Sequence, residues 1–162
     1  KSFGGSGYDI ACAKSDSPIV YHLENEKPHF KAIHFNPSFK ENIHFVYLNQ
    51  KQSSKLAIAN YMGKHHHVRS VISKINSITY DAINCKEGKE FAKQMEQHEI
   101  LMSDVLELET IKEKFFPDFK GVIKSLGAWG GDFVMTISKD NPKNYFKEKG
   151  YSTILSYEEM IL

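Results

Sequence analysis

The chain has 162 residues, 41% hydrophobic and 25% charged, the balance of a folded globular protein and not of a disordered one. Lys and Arg number 21 against 20 Asp and Glu, so the formal net charge of +1 gives no electrostatic reason to expect a nucleic acid as partner. No apolar run approaches the roughly 20 residues of a membrane-spanning helix. Cys12 and Cys85 stand in no metal or redox spacing, which fits free thiols in a reducing, cytoplasmic setting.

The chain opens at Lys1 without an initiator Met or a signal segment and runs straight into the glycine-rich stretch 1–9. It reads as a protein lacking its amino-terminal part. Residues 9–14 suit a helix, with Asp9 at the end where the helix dipole favours an acid. Pro18 stops it, and Ile19–Leu23 reads as a strand, followed by a second extended segment over Phe30–Phe35. Asn42–Leu48 is a stronger strand, apolar at Ile43, Phe45, Val46, Tyr47 and Leu48. A polar turn over Gln50–Ser54 leads to a short helix through Tyr61, ended by Gly63.

Two long amphipathic helices follow. The first carries Val68, Val71, Ile72, Ile75, Ile78 and Ile83 near helical spacing. The second carries Phe91, Met95, His98, Met102, Val105 and Glu109, with Leu101, Leu106 and Leu108 broadening the stripe. Gly121–Leu126 and Asp132–Ser138 read as a hairpin joined through Gly127–Gly131. Asn141-Pro142 opens a last helix that Gly150 stops, and Ser152–Leu155 is a final strand before a short tail. The order from residue 38 is a βαββαβ pattern with extra helix in the first crossover. That predicts an α+β, ferredoxin-like sandwich over 38–162, with 1–37 as the end of a preceding domain.

Two glycine-rich segments, each ending in an aspartate, carry the chemistry: Gly4-Gly-Ser-Gly-Tyr-Asp9 and Gly127-Ala-Trp-Gly-Gly-Asp132. Glycines let a ligand approach the backbone, and successive N–H groups in such loops form anion-binding nests. An aspartate beside a bound phosphate can orient or deprotonate an attacking hydroxyl. The plainer alternative is two tight turns with capping aspartates. No GxxxxGK[ST] phosphate loop is present.

Gly5-Ser-Gly-Tyr-Asp-Ile-Ala-Cys-Ala13 resembles the G-S-G-x-D-[IV]-A-x-A segment of the GHMP kinases, a superfamily that includes galactokinase, homoserine kinase, mevalonate kinase and phosphomevalonate kinase. Lys124-Ser-Leu-Gly-Ala-Trp-Gly-Gly-Asp132 resembles their carboxy-terminal motif K-P-S-G-A-G-G-G-D. Together they are similar to a bacterial subgroup named for its Gly-Tyr-Asp-Ile-Ala run. The resemblance covers essentially the whole chain. It implies the end of a domain like ribosomal protein S5 domain 2, followed by the ferredoxin-like carboxy-terminal domain. It also implies ATP and Mg2+, bound mainly through a P-x-x-x-G-L-G-S-S-A loop that this sequence does not contain.

By the same resemblance Asp9 acts on the substrate hydroxyl. Gly5, Ser6, Gly7, Lys124, Gly127, Ala128, Trp129, Gly130, Gly131 and Asp132 line the substrate and phosphate site, with no metal ligands among them. Two departures bear on the substrate. Trp129 replaces a glycine and either reshapes the pocket or packs on the domain surface. Leu126 replaces a serine and removes a hydroxyl.

The remaining candidates read mostly as structure. Lys124 on a strand is expected to be solvated unless the motif role holds. His65-His-His67 reads as a solvated helix start, His98 as a hydrogen-bonded core histidine, and Lys51 and Ser53 as a polar loop or substrate contacts. Cys12 and Cys85 read as structural, with nothing nearby to lower a thiol pKa.

The resulting expectation is part of an ATP-dependent small-molecule kinase acting on an alcohol or phosphate acceptor, with mevalonate or phosphomevalonate favoured and isoprenoid-precursor synthesis as the setting. Its partners would be that small molecule and the missing amino-terminal half, with no nucleic acid or membrane and with a homodimer left open. This chain alone would be inactive, and residues 1–37 would leave an apolar face uncovered. The alternative is a non-catalytic ferredoxin-like module that binds a metabolite or a protein.

Overall fold

The computed structural model describes residues 6–25, 27–50, 68–127, 129 and 132–161. The chain divides into two compact units, residues 1–36 and 37–161.

The first unit holds a short helix and a hairpin. Helix α1 covers Tyr8–Ala13 and begins after Gly7, whose φ of 81° is the left-handed conformation that glycine adopts freely. Strands β1 (Ile19–Glu24) and β2 (Lys27–Ala32) pair antiparallel, from Ile19 opposite Ala32 to Glu24 opposite Lys27. The second strand therefore lies earlier than Phe30–Phe35, because the hairpin register and a turn with Asn25 at φ 50° fix its start. Tyr8 packs edge-on against Tyr21 with ring centroids 5.9 Å apart, and Ala11 is buried. Tyr8, Ile10, Leu23 and Phe30 each keep half or more of their surface exposed.

The second unit is a four-stranded antiparallel sheet with helices. A single 3-10 turn, Lys40–Asn42, leads into β3 (Ile43–Tyr47). Helices α2 (Val68–Asn84), α3 (Gly88–Leu106) and α4 (Ile111–Phe115) follow. Then come β4 (Val122–Ser125), β5 (Phe133–Ile137), α5 (Lys143–Glu148), β6 (Ile154–Ser156) and α6 (Tyr157–Met160). The strand order is β4-β5-β3-β6, with every neighbouring pair antiparallel. The β-α-β-β-α-β connectivity predicted from the sequence is the one observed, within a mixed α+β fold.

Register decides which residues face the core. Val46 lies opposite Val134 on one side and Ile154 on the other, so these three share a face, with Ile123 on the same face of β4. Against them pack Phe116, Phe119, Phe146 and Ile111. Phe116 is fully buried, with its ring 5.0 Å from that of Phe146 and 5.3 Å from that of Tyr151. Helix α3 packs on β4, and α2 packs on α3.

Several sequence expectations are corrected. Ile72 belonged to the apolar stripe of the first long helix but is 51% exposed, because α2 lies on α3 and turns that side outward. Helix α3 stops at Leu106, where Glu107 takes a left-handed C-cap conformation at φ 54°. Leu108 and Glu109 therefore lie beyond the helix, and Leu108 is exposed. The final strand begins at Ile154, and the tail after it is the helix α6, capped by a reciprocal pair between Ser156 and Glu159. Helix α4 starts with the same kind of box, Thr110 with Glu113. The helix expected over Ser54–Tyr61, His65–His67, Lys51 and Ser53 lie outside the described residues. No helix among the described residues is long and apolar enough to cross a membrane.

Candidate functional site

The site in the second unit is built where β4 runs into the glycine loop. The Leu126 N–H donates to the Phe133 carbonyl at 3.2 Å, so strand pairing continues to the loop mouth. Gly127 then takes φ +65°, with nothing within 4 Å of where a Cβ would stand. On the return, the Asp132 carbonyl accepts from the Leu48 N–H at 2.8 Å, which ties the loop exit to the end of β3. Gly127 and Asp132 are exposed and Trp129 is half-buried. Ala128, Gly130 and Gly131 lie outside the described residues.

Beneath the loop sits a residue that the sequence reading did not single out. Glu99 of α3 is 2% exposed. One carboxylate oxygen accepts from the Ser125 N–H at 3.0 Å, and the other accepts from the Ser125 hydroxyl at 2.7 Å. β4 is an edge strand, so its outward N–H groups have no neighbouring strand to bond, and Glu99 supplies the acceptor for this one. Lys124 Nζ stands 3.3 Å from the same carboxylate and also donates to the Ser125 carbonyl.

Lys124 is therefore not solvated. Its side chain is 12% exposed and that of Glu99 is 3% exposed. Burial holds the Lys124 ammonium below the ordinary lysine range, and Glu99 opposes that shift. The Lys124 Nζ also lies 5.8 Å from the centre of the Trp129 ring, within cation–π range. Trp129 thus covers the pair on the loop side.

His98, one residue before Glu99, was expected to be a hydrogen-bonded core histidine. Its Nδ1 is buried but has no hydrogen-bond partner among the described residues, and the same holds for Trp129 Nε1. Burial first, and then the Lys124 charge, lower the His98 pKa to about 4, so the ring is neutral near pH 7. The signal for Glu99 was present: it sits beside His98 inside the apolar stripe of α3, where an acid needs a partner.

The other predicted residues belong to the first unit. Gly7 precedes α1, and the Ala11 N–H donates to its carbonyl at 3.0 Å. The Ser6 carbonyl accepts from the Tyr21 hydroxyl, and the Ser6 hydroxyl oxygen lies 3.4 Å from the Tyr8 N–H. Asp9 is exposed in the first turn of α1. Gly5 lies outside the described residues. Cys12 and Cys85 are free thiols, and burial pushes the Cys85 pKa up.

Among the described residues no three His, Cys, Asp or Glu side chains converge as a metal site. A cavity of about 400 Å3 lies between α2 and α3, lined by Lys74, Asp81, Gln94, Ile100, Leu101 and Asp104 among others. It shares no lining residue with the loop root.

Comparison with protein-family models finds no match, and neither does comparison with curated proteins. Solved structures do match. The mevalonate kinase of L. major in complex with R-mevalonate superposes with a TM-score of 0.65 at 15% identity, over 90% of this chain and 48% of that one. The mevalonate kinase of Methanococcus jannaschii gives 0.57 at 21% identity, over 83% of this chain and 45% of that one. The phosphomevalonate kinase of Streptococcus pneumoniae gives 0.57 at 17% identity, over 82% and 44%. The chain spans about half the length of the solved structures it matches. The chain shares the fold of these mevalonate and phosphomevalonate kinases over a little under half of each of their chains.

Proposed function

We propose that this chain is part of an ATP-dependent, GHMP-type kinase that phosphorylates a small alcohol or phosphate acceptor, with mevalonate or phosphomevalonate as the favoured substrates. The observation that carries the reading is the buried Glu99–Lys124–Ser125 cluster at the strand end before Gly127, within a fold shared with mevalonate and phosphomevalonate kinases. In this reading 1–37 ends the amino-terminal kinase domain and 38–162 is the carboxy-terminal one.

Phosphoryl transfer needs little covalent help from the protein and is accelerated by positioning and by stabilising charge. The roles follow from that. Asp9 accepts or orients the acceptor hydroxyl proton. Gly5, Ser6 and Gly7, with Gly127, Ala128, Gly130 and Gly131, allow close backbone approach to charged oxygens, and Trp129 and Asp132 border the acceptor. ATP and Mg2+ would be held mainly by the rest of the protein. Mg2+ in kinases is bound largely by substrate phosphates and one or two carboxylates, so no step here is assigned to a metal ligand of this chain. The exposed Tyr8, Ile10, Leu23 and Phe30 of the first unit fit an apolar face that another part of the protein covers.

The test is phosphoryl transfer by the full-length protein, followed through ADP release. The acceptor panel would hold mevalonate, phosphomevalonate, homoserine, galactose and several sugar phosphates. Turnover of one acceptor, lost in Asp9→Asn, is the expected result. Turnover that survives Asp9→Asn would remove the role given to Asp9. No turnover with any acceptor would favour a module that binds without catalysing.

A further inference from the structure

We propose that Lys124 is the buried counter-ion of Glu99 and not a ligand of the transferred phosphoryl group, and that Glu99 is the positioning residue of the strand end, Ser125, that leads into Gly127. The second half of this assignment rests on the kinase reading above; the first half does not.

The argument starts from donors. A lysine ammonium has three N–H groups. In Lys124 one is directed at the Glu99 carboxylate and one at the Ser125 carbonyl, while the Trp129 ring stands over the nitrogen at 5.8 Å. A lysine that receives a phosphate must present free donors to the ligand. Two of the three Lys124 donors are turned inward, and 12% of its side chain remains exposed.

The acceptors of Glu99 give the complementary account. Its two oxygens receive the Ser125 N–H and the Ser125 hydroxyl, so both polar hydrogens of that residue are fixed by one side chain. Ser125 is the last residue of β4 and stands two positions before Gly127. A carboxylate accepts at both oxygens, which is what the Ser125 N–H and hydroxyl require. A buried carboxylate needs a partner, because an unpaired charge is costly to remove from water. Lys124 is that partner, 3.3 Å away. The cation therefore serves the carboxylate, the carboxylate serves Ser125, and Ser125 sets where the loop begins.

Breaking such a pair from one side leaves an uncompensated buried charge, whereas replacing both partners does not. That asymmetry separates the two roles. Full-length protein would be compared as wild type, Glu99→Ala, Lys124→Met and the double variant Glu99→Gln with Lys124→Met. In the double variant the side-chain amide oxygen at position 99 still accepts from the Ser125 N–H, and no buried charge remains. The two single variants are expected to lower kcat about 100-fold, the scale of a misplaced reacting geometry, with KM moving less than about threefold. The double variant is expected to return within about tenfold of wild-type kcat and to melt above either single variant. A double variant no better than Lys124→Met in kcat or melting temperature, or a Lys124→Met defect expressed as raised KM, would overturn the proposal.

A second measurement does not depend on turnover. Trp129 is the only tryptophan of this chain and lies beside Lys124, so its emission reports an anion arriving at that nitrogen. Titration of the chain with pyrophosphate is expected to give no saturable change. A saturable change that Lys124→Met abolishes would show that Lys124 binds phosphate and would overturn the assignment. A full-length protein inactive on every acceptor would instead end the kinase reading, while the titration and the melting comparison still decide whether Lys124 belongs to Glu99.

Discussion

Gly121 and Gly127 flank the same strand, and substituting them should fail for different reasons. A Cβ added to Gly121 would stand 2.6 Å from the Ile137 carbonyl, 2.8 Å from a ring carbon of Phe119 and 3.0 Å from the Ser138 Cβ. The first of these is backbone, and it cannot move freely. Ile137 pairs with both Val122 and Ile43, and Ser138 is bound to Asn42 through its N–H at 3.1 Å and through its carbonyl at 3.1 Å. Gly121→Ala should therefore cost about 1–3 kcal/mol, the range for forcing volume into a packed site, and towards its upper end. At Gly127 there is open space, but φ is +65°. Gly127→Ala should cost about 1–2 kcal/mol from the left-handed backbone alone. Asn tolerates that conformation, so Gly127→Asn should recover much of the loss, whereas Gly121→Asn should be worse than Gly121→Ala. Urea unfolding followed by far-UV circular dichroism reads both, since losses of this size move the midpoint by about 1 M. A Gly127→Asn variant as unstable as Gly121→Ala would refute the distinction, and a silent Gly121→Ala would refute the packing described at the β4–β5 junction.

Two further predictions concern the core and the site's neighbour. Phe116→Ala removes a fully buried ring that contacts Phe146 and Tyr151, so it should destabilise by about 3–5 kcal/mol, with Phe116→Leu costing clearly less; equal and small losses by thermal melting would contradict the aromatic core. His98 has its folded pKa lowered from 6.5 to about 4, so the unfolded chain takes up a proton that the folded chain refuses. Its contribution is intact above pH 6.5 and is lost as the pH falls towards 4. His98→Gln should flatten the decline of the urea midpoint across that window, and an unchanged slope would remove His98 as its cause.

Much of the fold is written in local pattern. The apolar run at Ile43–Leu48, the helical spacing through Val71, Ile75 and Ile78, and the paired segments on either side of Gly127–Gly131 each specify one kind of element. The short helices α4 and α6 were not read from the sequence, although a local signal for each was there. Thr110 with Glu113 and Ser156 with Glu159 are capping boxes three residues apart, a purely local signal. The positions that misled were those whose environment is set from elsewhere. Ile72 has the same side chain as buried isoleucines, and only the way α2 lies on α3 leaves it exposed.

The candidate site divides in the same manner. The glycines of 4–9 and 127–132 announce turns, because glycine's backbone freedom is a property of the residue itself. Nothing local distinguishes Lys124 from a solvated strand lysine, and the only local sign at Glu99 is its place inside the apolar stripe of α3. Charge is expensive to bury and cheap to expose, so a charged residue in isolation is read as exposed. Glu99 and Lys124 are 25 positions apart in sequence, and the salt bridge between them forms only when α3 is laid across β4. The sequence by itself determined where the chain turns and the order of the main strands and long helices. The tertiary structure alone decided that two of its charges neutralise one another beneath the loop, because a long-range ion pair exists only in the packing that removes both partners from water.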